Sequence, residues 1–262
     1  MAEMTIDLES PEVRAALEEE IGAQPHPLLF ATISGAHLYG FPSADSDIDI
    51  RGVHVLPLRE VIGLGQNRDT IEAQATRAGI LLETVTHDVK KFALLLLKRN
   101  GYVLEQLFSP LIVRTSPEHS ELKQIARACI TRDHYLHYLG FADNQLKLLQ
   151  KKPAVKQVLY IYRVLLTGIH LMRTGEVEAN LQRLVAVAAL PHVLELVERK
   201  VGGSELLALR PDELPFHERQ YANLAARLRE EAAASALPES HSAKDALSDF
   251  VVRVRMSLDE SR

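Results

Sequence analysis

Asp47 and Asp49 stand two residues apart in Asp47-Ile-Asp-Ile-Arg-Gly-Val-His-Val55, which alternates polar with β-branched residues as a half-buried strand does. At that spacing both side chains leave one face of a strand, about 7 Å apart, while Ile48 and Ile50 turn to the core. Two such carboxylates offer hard oxygen ligands to Mg²⁺, which keeps several waters and takes further ligands from a substrate's phosphates. Two ions roughly 3.5 to 4 Å apart stabilise the attacking and leaving oxygens of an in-line phosphoryl displacement. A third carboxylate is wanted from a neighbouring strand. Glu83 is the candidate, lying mid-strand in the apolar segment 79–86, where a charge without a metal or cation partner is costly. Asp-x-Asp after Ser also occurs in turns and on surface strands, so the pair is read with its surroundings. Arg51 is expected to point to the opposite face from Asp49 and to support the strand.

Upstream, Ser34-Gly35 ends the apolar run Leu28-Leu-Phe-Ala-Thr-Ile33. A glycine there lets the next backbone N–H groups approach a phosphate closely. Further along, Lys156, Tyr160 and Arg163 recur at i, i+4 and i+7, hence on one helix face. That face reads either as a solvated surface or as a grip on a triphosphate, with Lys as a point charge, Arg as a bidentate donor and Tyr as a hydrogen-bonding or stacking partner. Lys147, Lys151 and Lys152 extend the basic stripe toward an RNA backbone or toward solvent.

The elements that must carry these residues divide by period. Ser10-Pro11 opens a short helix to about Ile21. Strands are predicted at 28–33, 47–55 and 79–86, and Asp88 caps a helix over 89–99. Asn100 and Gly101 read first as a helix C-cap. From Ser116 the pattern is helical: 117–130, 132–151, 154–174, 191–201, 212–235 and 243–257. The expected fold is α+β, a small mixed β-sheet domain with flanking helices over residues 1–112, followed by an all-helical domain over residues 113–262 that closes a nucleotide and acceptor cleft. The 262 residues are 47% hydrophobic and 25% charged, enough for two modest cores rather than a disordered chain.

Other chemistries are poorly served. Thirty Lys and Arg against 35 Asp and Glu give a net charge of −5, which excludes a broadly basic nucleic-acid binder and makes any anion site local. The single Cys129 rules out an intrachain disulfide or a cysteine-based zinc cluster and reads as core. His134 and His137 lack zinc-site spacing, and neither a Walker A sequence nor Gly-x-Ser-x-Gly is present. An acidic N-terminus and the lack of any stretch near 18 apolar residues point to a cytoplasmic protein without membrane contact.

Taken together, Ile33-Ser-Gly-Ala-His-Leu-Tyr-Gly40 and Asp45-Ser-Asp-Ile-Asp-Ile50 resemble the signature of the DNA polymerase β-like nucleotidyltransferase superfamily. Within it, the RlaP subgroup associated with RNA ligases looks similar over residues 28–180, through Gly35 to Gly40, Asp45 to Gly52, Leu104-Glu-Gln-Leu-Phe-Ser-Pro110 and Lys156-Gln-Val-Leu-Tyr-Ile-Tyr-Arg163. The resemblance implies Mg²⁺-dependent transfer of an NMP from an NTP to an acceptor hydroxyl, with pyrophosphate released. Two Mg²⁺ ions are implied, with Mn²⁺ as an alternative. Asp47, Asp49 and Glu83 are the implied catalytic and metal residues, Glu83 also assisting deprotonation of the acceptor. Ser34, Gly35, Ala36, His37, Lys156, Tyr160 and Arg163 are the implied nucleotide-binding residues. The implied acceptor is an RNA 3′-end in RNA repair, and an RNA ligase or other repair protein is the implied partner.

Ala36 departs from the Ser or Gly usual in the superfamily and loses a hydroxyl contact to phosphate, which Ser34 can replace. His37 stands where the family has an arginine-like donor; it reads equally as a surface-loop histidine. Two rival functions stay open: nucleotidylation of a protein or small molecule, and a non-catalytic nucleotide-binding or antitoxin-like module.

Overall fold

A computed structural model describes residues 6–65, 68–203 and 207–260. In chain order the elements are α1 (Pro11–Gly22), β1 (Leu28–Ile33), α2 (Gly35–Tyr39), β2 (Ile48–His54), α3 (Leu58–Ile62), β3 (Thr70–Arg77), β4 (Ile80–Asp88), α4 (Val89–Leu97), α5 (Gly101–Phe108), β5 (Ile112–Arg114), α6 (Pro117–Arg127), a 3₁₀ turn (Arg132–His134), α7 (Tyr135–Lys151), α8 (Val155–Thr174), α9 (Leu181–Ala188), α10 (Pro191–Val201), α11 (Leu214–Ala234) and α12 (Lys244–Glu260). The fold is α+β, and among the described residues every strand lies within the first 114. Among the described residues, no helix is long and apolar enough to cross a membrane.

The strands form one mixed sheet in the order β3-β4-β2-β1-β5. β2 and β4 run parallel, while the β1–β2, β1–β5 and β3–β4 pairs are antiparallel. β3 and β5 were not expected from the sequence. β3 turns into β4 through Ala78-Gly79, at φ 49° and 77°. Positive φ at both central residues is what a two-residue hairpin turn requires, because its twist then matches that of the strands.

The chain gathers into two compact units. The sheet unit comprises Asp7–Gly35, Asp47–Ile130 and Ser240–Arg262; the helical unit comprises Ala36–Ser46 and Thr131–Glu239. This differs from the division expected at residue 112. α6 stays with the sheet because His119 stacks on Phe30 of β1 at 4.2 Å and bonds the Leu107 carbonyl through Nε2. α12 returns to the sheet because buried Arg255 grips Asp88. The segment after Gly35 joins the helices because Tyr39 and Phe41 pack edge-on against Tyr160 of α8.

Local signals act much as their chemistry requires. Ser10 and Ser116 cap α1 and α6, each followed by proline, and Asp88 caps α4 through Lys90 N–H at 3.0 Å. Asn100 corrects its expected role. Its side chain accepts from Tyr102 N–H at 3.0 Å, so it is the N-cap of α5, not the C-cap of the preceding helix. In the helical unit α8 is buried on nearly all sides and forms the core against α7, α9, α10 and α11.

Candidate functional site

In the sheet unit, Asp49 and Glu83 are direct partners across the parallel pair β2–β4. Asp47 immediately precedes β2. Between them on the buried face lie Ile48, Ile50 and Leu82, each fully inaccessible, which anchors the strands and fixes the outward direction of the carboxylates. Burial holds the Asp49 carboxyl above the usual carboxylate range; Arg51 pulls it down, and the negative charges of Asp47 and Glu83 push it up again. The three acids are thus close enough to feel one another.

Arg51 is on the same face as Asp49, contrary to expectation, because residues two apart on a strand project together. It donates to Asp49 Oδ1 through Nη2 and to the carbonyls of Ile50 and Glu83 through Nη1, both at 2.9 Å. Glu83 has its own partner in the neighbouring strand, Gln74, whose Nε2 donates to Oε1 at 3.0 Å. Sequence reasoning missed Gln74 because it missed β3. The alternation over 70–77 followed by Ala-Gly was the signal that could have found it.

The glycine motif meets the same carboxylate. Ser34, nearly buried, donates its N–H to the Asp49 carbonyl at 2.8 Å. Gly35 takes φ 61°, and a Cβ there would stand 1.8 Å from Asp49 Oδ2. Only a bare Cα accommodates both the left-handed backbone and this approach.

Among the described residues, no three His, Cys, Asp or Glu side chains converge as an ion cage. Asp49 Oδ1 is engaged by Arg51 instead. The donor chemistry nonetheless fits a hard divalent cation: two carboxylates in register, a third just before the strand, and one of them held at a raised pKa that a cation would relieve. Asp47, Asp49 and Glu83 are the residues that could hold it once Asp49 turns from Arg51.

The other expected nucleotide-binding residues belong to the helical unit. Ala36 and His37 lie in α2, both largely covered. Lys156, Tyr160 and Arg163 share a face of α8, with Lys156 Nζ 5.9 Å from the Tyr160 ring. Arg163 is 1% exposed, its guanidinium 3.8 Å from the Tyr39 ring and 5.9 Å from that of Tyr160. The structure places it as a support for the segment 36–46, whereas Lys156 is partly open to solvent. Lys147, Lys151 and Lys152 are exposed. Lys200 of α10 gave no signal in the sequence; buried, it donates to Ser43 Oγ at 2.7 Å, and Ser43 bonds Ser46 Oγ through N–H at 2.9 Å and hydroxyl at 3.0 Å. Cys129 is buried core, its thiol pushed up to about 11 by burial.

Among curated proteins the chain is similar to the uncharacterised protein MJ0002 of Methanocaldococcus jannaschii, 33% identical over 154 residues, 58% of this chain. The match spans 63% of that relative, less than two thirds of its length. It is also similar to the uncharacterised protein YcgL of Bacillus subtilis, 27% identical over 200 residues, 72% of this chain and 75% of that one. A solved nucleotidyltransferase-like protein from Exiguobacterium sibiricum aligns over 85% of this chain and 74% of its own, at 13% identity and a TM-score of 0.33. The family model described as RlaP, RNA repair pathway DNA polymerase beta family, matches residues 10–253. With nearly the whole chain matched and the paired carboxylates and motif glycine in one sheet unit, the protein belongs to the RlaP family of the DNA polymerase β class.

Proposed function

We propose that the protein is a nucleotidyltransferase that moves an NMP from an NTP to an acceptor hydroxyl, most simply an RNA 3′-end, and releases pyrophosphate. The observation that carries this reading is the register of Asp49 with Glu83 on parallel strands, with Asp47 two residues upstream and Gly35 backed against the Asp49 carboxylate. The family's description as an RNA repair polymerase β group supports RNA as acceptor.

In this reading Asp47, Asp49 and Glu83 hold Mg²⁺, with Mn²⁺ as a substitute. Two bound ions would lower the pKa of the acceptor hydroxyl and neutralise charge on the triphosphate and leaving pyrophosphate. Glu83 accepts the acceptor proton, the acceptor oxygen bonds the α-phosphorus, and the bond from that phosphorus to the β-phosphate oxygen breaks. Arg51 keeps Asp49 neutralised and oriented until the substrate complex forms. Ser34, Gly35, Ala36 and His37 bear on the nucleotide phosphates. Within the helical unit Lys156 is a partly exposed cation suited to phosphate, while Tyr160 and Arg163 act by holding the segment that carries Ala36 and His37.

Ala36 favours one second reading, a nucleotide-binding module without turnover. One experiment separates them: incubation with Mg²⁺ and each α-labelled NTP, with and without an RNA mixture, beside the Asp47→Ala/Asp49→Ala protein. Label on RNA that the variant fails to transfer is the expected result. Label on protein moves the acceptor to a polypeptide. NTP binding without any label transfer overturns the enzyme reading in favour of the module.

A further inference from the structure

We propose that a groove between α4 and α12 of the sheet unit is the docking site for an acidic amphipathic helix of a partner protein. The groove encloses about 380 Å³. On α12 its lining steps from Lys244 through Leu247 and Val251 to Arg255, and on α4 from Lys90 through Leu94 to Leu97. Steps of three and four are the period at which one helix packs against another. Two helices therefore turn packing stripes toward one trough, and the α12 stripe is roughly 18 Å long, about three turns.

The apolar lining of this seam is open to solvent. Leu94, Val252 and Met256, all in the lining, are 48%, 58% and 45% exposed. Solvent-facing apolar residues gathered in one groove mark an interaction surface more than residues scattered singly do. The walls are also fixed in place. Arg255 donates through Nη2 to both Asp88 oxygens at 2.8 and 3.1 Å, and through Nη1 to the Leu56 carbonyl at 2.7 Å. A groove already formed spends little binding energy on ordering itself.

Charge selects the occupant. Among the described residues no carboxylate lines the groove, and Asp88 neutralises Arg255. Lys90 and Lys244 stand exposed at the rim, and among the described residues neither has an ion-pair partner. An apolar trough between two uncompensated cations fits a helix with apolar residues at i, i+3, i+4 and i+7 flanked by Glu or Asp. An RNA backbone would meet the apolar floor and gain only two lysines. The groove lies past the C-terminal ends of β2 and β4, whereas Asp49 is the second residue of β2, roughly 17 Å back along the strand. Docking there leaves the carboxylates uncovered.

The test uses the full chain and a fluorescent, stapled helical peptide of about 15 residues, with leucines at i, i+3, i+4 and i+7 and glutamates on the flanks, read by anisotropy. A second peptide carries lysine in place of each glutamate. The acidic peptide is expected to bind at least about tenfold more tightly than the basic one, with a preference that Lys90→Glu/Lys244→Glu reverses and added salt weakens. Val252→Asp/Met256→Asp should abolish binding of both, and the exposed charge-reversal pair remains informative if that variant fails to fold. Equal binding of the two peptides, or binding by neither, overturns the proposal. So does displacement of the acidic peptide by an RNA oligonucleotide, or sedimentation as a dimer that Val252→Asp/Met256→Asp disperses, since each assigns the groove a different occupant.

Discussion

Asp49 and Glu83 face each other across the parallel strands β2 and β4, and each is answered by a different neighbour, Arg51 for the first and Gln74 for the second. Strands about 4.8 Å apart set the two side chains next to each other, and the negative charge of Glu83 adds to the burial that raises the Asp49 pKa. Arg51 offsets part of that rise. Its guanidinium also holds the Glu83 carbonyl, so the two strands and the two acids are registered by one side chain.

Removing the acids should separate catalysis from folding. Asp47→Ala, Asp49→Ala and Glu83→Gln are each expected to lower kcat/KM for nucleotidyl transfer by about 10²- to 10³-fold or more, the scale of losing one preorganised electrostatic group. None of the three side chains is in the apolar core, so thermal unfolding should stay cooperative. Activity of any of these variants within about tenfold of the parent would remove that residue from the reaction.

The pH dependence of stability carries the sign of the Asp49 shift. A carboxyl whose folded pKa is raised is disfavoured as the anion, so its contribution to stability is greatest at low pH and is lost as pH rises from the ordinary carboxylate range through the raised value. Asp49→Asn should therefore melt above the parent at pH 7 without divalent metal, and the gap should close near about pH 3. Added Mg²⁺ should reverse the order by stabilising the parent through binding. A variant that melts lower at pH 7 in chelator would show that the Arg51 pair outweighs the burial of Asp49.

The carboxylate pair, the motif glycine and most long helices were legible in the sequence because each is set by local period or by a spacing of two residues. What stayed hidden depends on contacts across the chain. β3 carries little apolar residue as an edge strand, so Gln74 went unseen beside Glu83. Arg51 needed only the period of two, yet its partner is visible only with the strand in place. Residues 36–46 read as a loop of the first domain, but Tyr39 and Phe41 commit them to α8, and no periodicity within eleven residues announces a partner more than a hundred residues away.

Gly35→Ala should damage the site more than the fold. A left-handed φ on alanine costs about 1 kcal/mol or more. The new methyl also lands 1.8 Å from Asp49 Oδ2 and must displace that carboxylate. The expected result is a modest fall in Tm with near-complete loss of transfer, and full activity would mean that Asp49 is not held against the glycine during the reaction.

Lys156 and Arg163 should part company. Lys156 is partly exposed, so Lys156→Ala is expected to change stability by less than about 0.5 kcal/mol while raising KM for the NTP. Arg163→Met removes a buried guanidinium from the Tyr39 face and should lower stability by about 2 kcal/mol. Equilibrium denaturation beside nucleotide titration makes the comparison, and an Arg163→Met protein of parental stability with a raised KM would return that arginine to the nucleotide.

The pair formed by Arg255 and Asp88 closes the sheet unit by joining residues 167 apart in sequence. Asp88 carries several tasks at once: it caps α4 at Lys90 N–H, accepts from Leu56 N–H at 3.1 Å, and receives Arg255 through both oxygens. Both side chains are about 5% exposed, so removing one partner leaves the other charged and poorly solvated. Arg255→Ala is accordingly expected to cost about 3 to 5 kcal/mol. Lys244→Ala, on the same helix but at its exposed start, should cost less than about 0.5 kcal/mol. Hydrogen exchange gives the decisive contrast: in Arg255→Ala the amides of α12 should lose protection first, while those of α8 keep theirs. Uniform loss across both units would show that α12 is not held separately and that this ion pair stabilises the chain only as a whole.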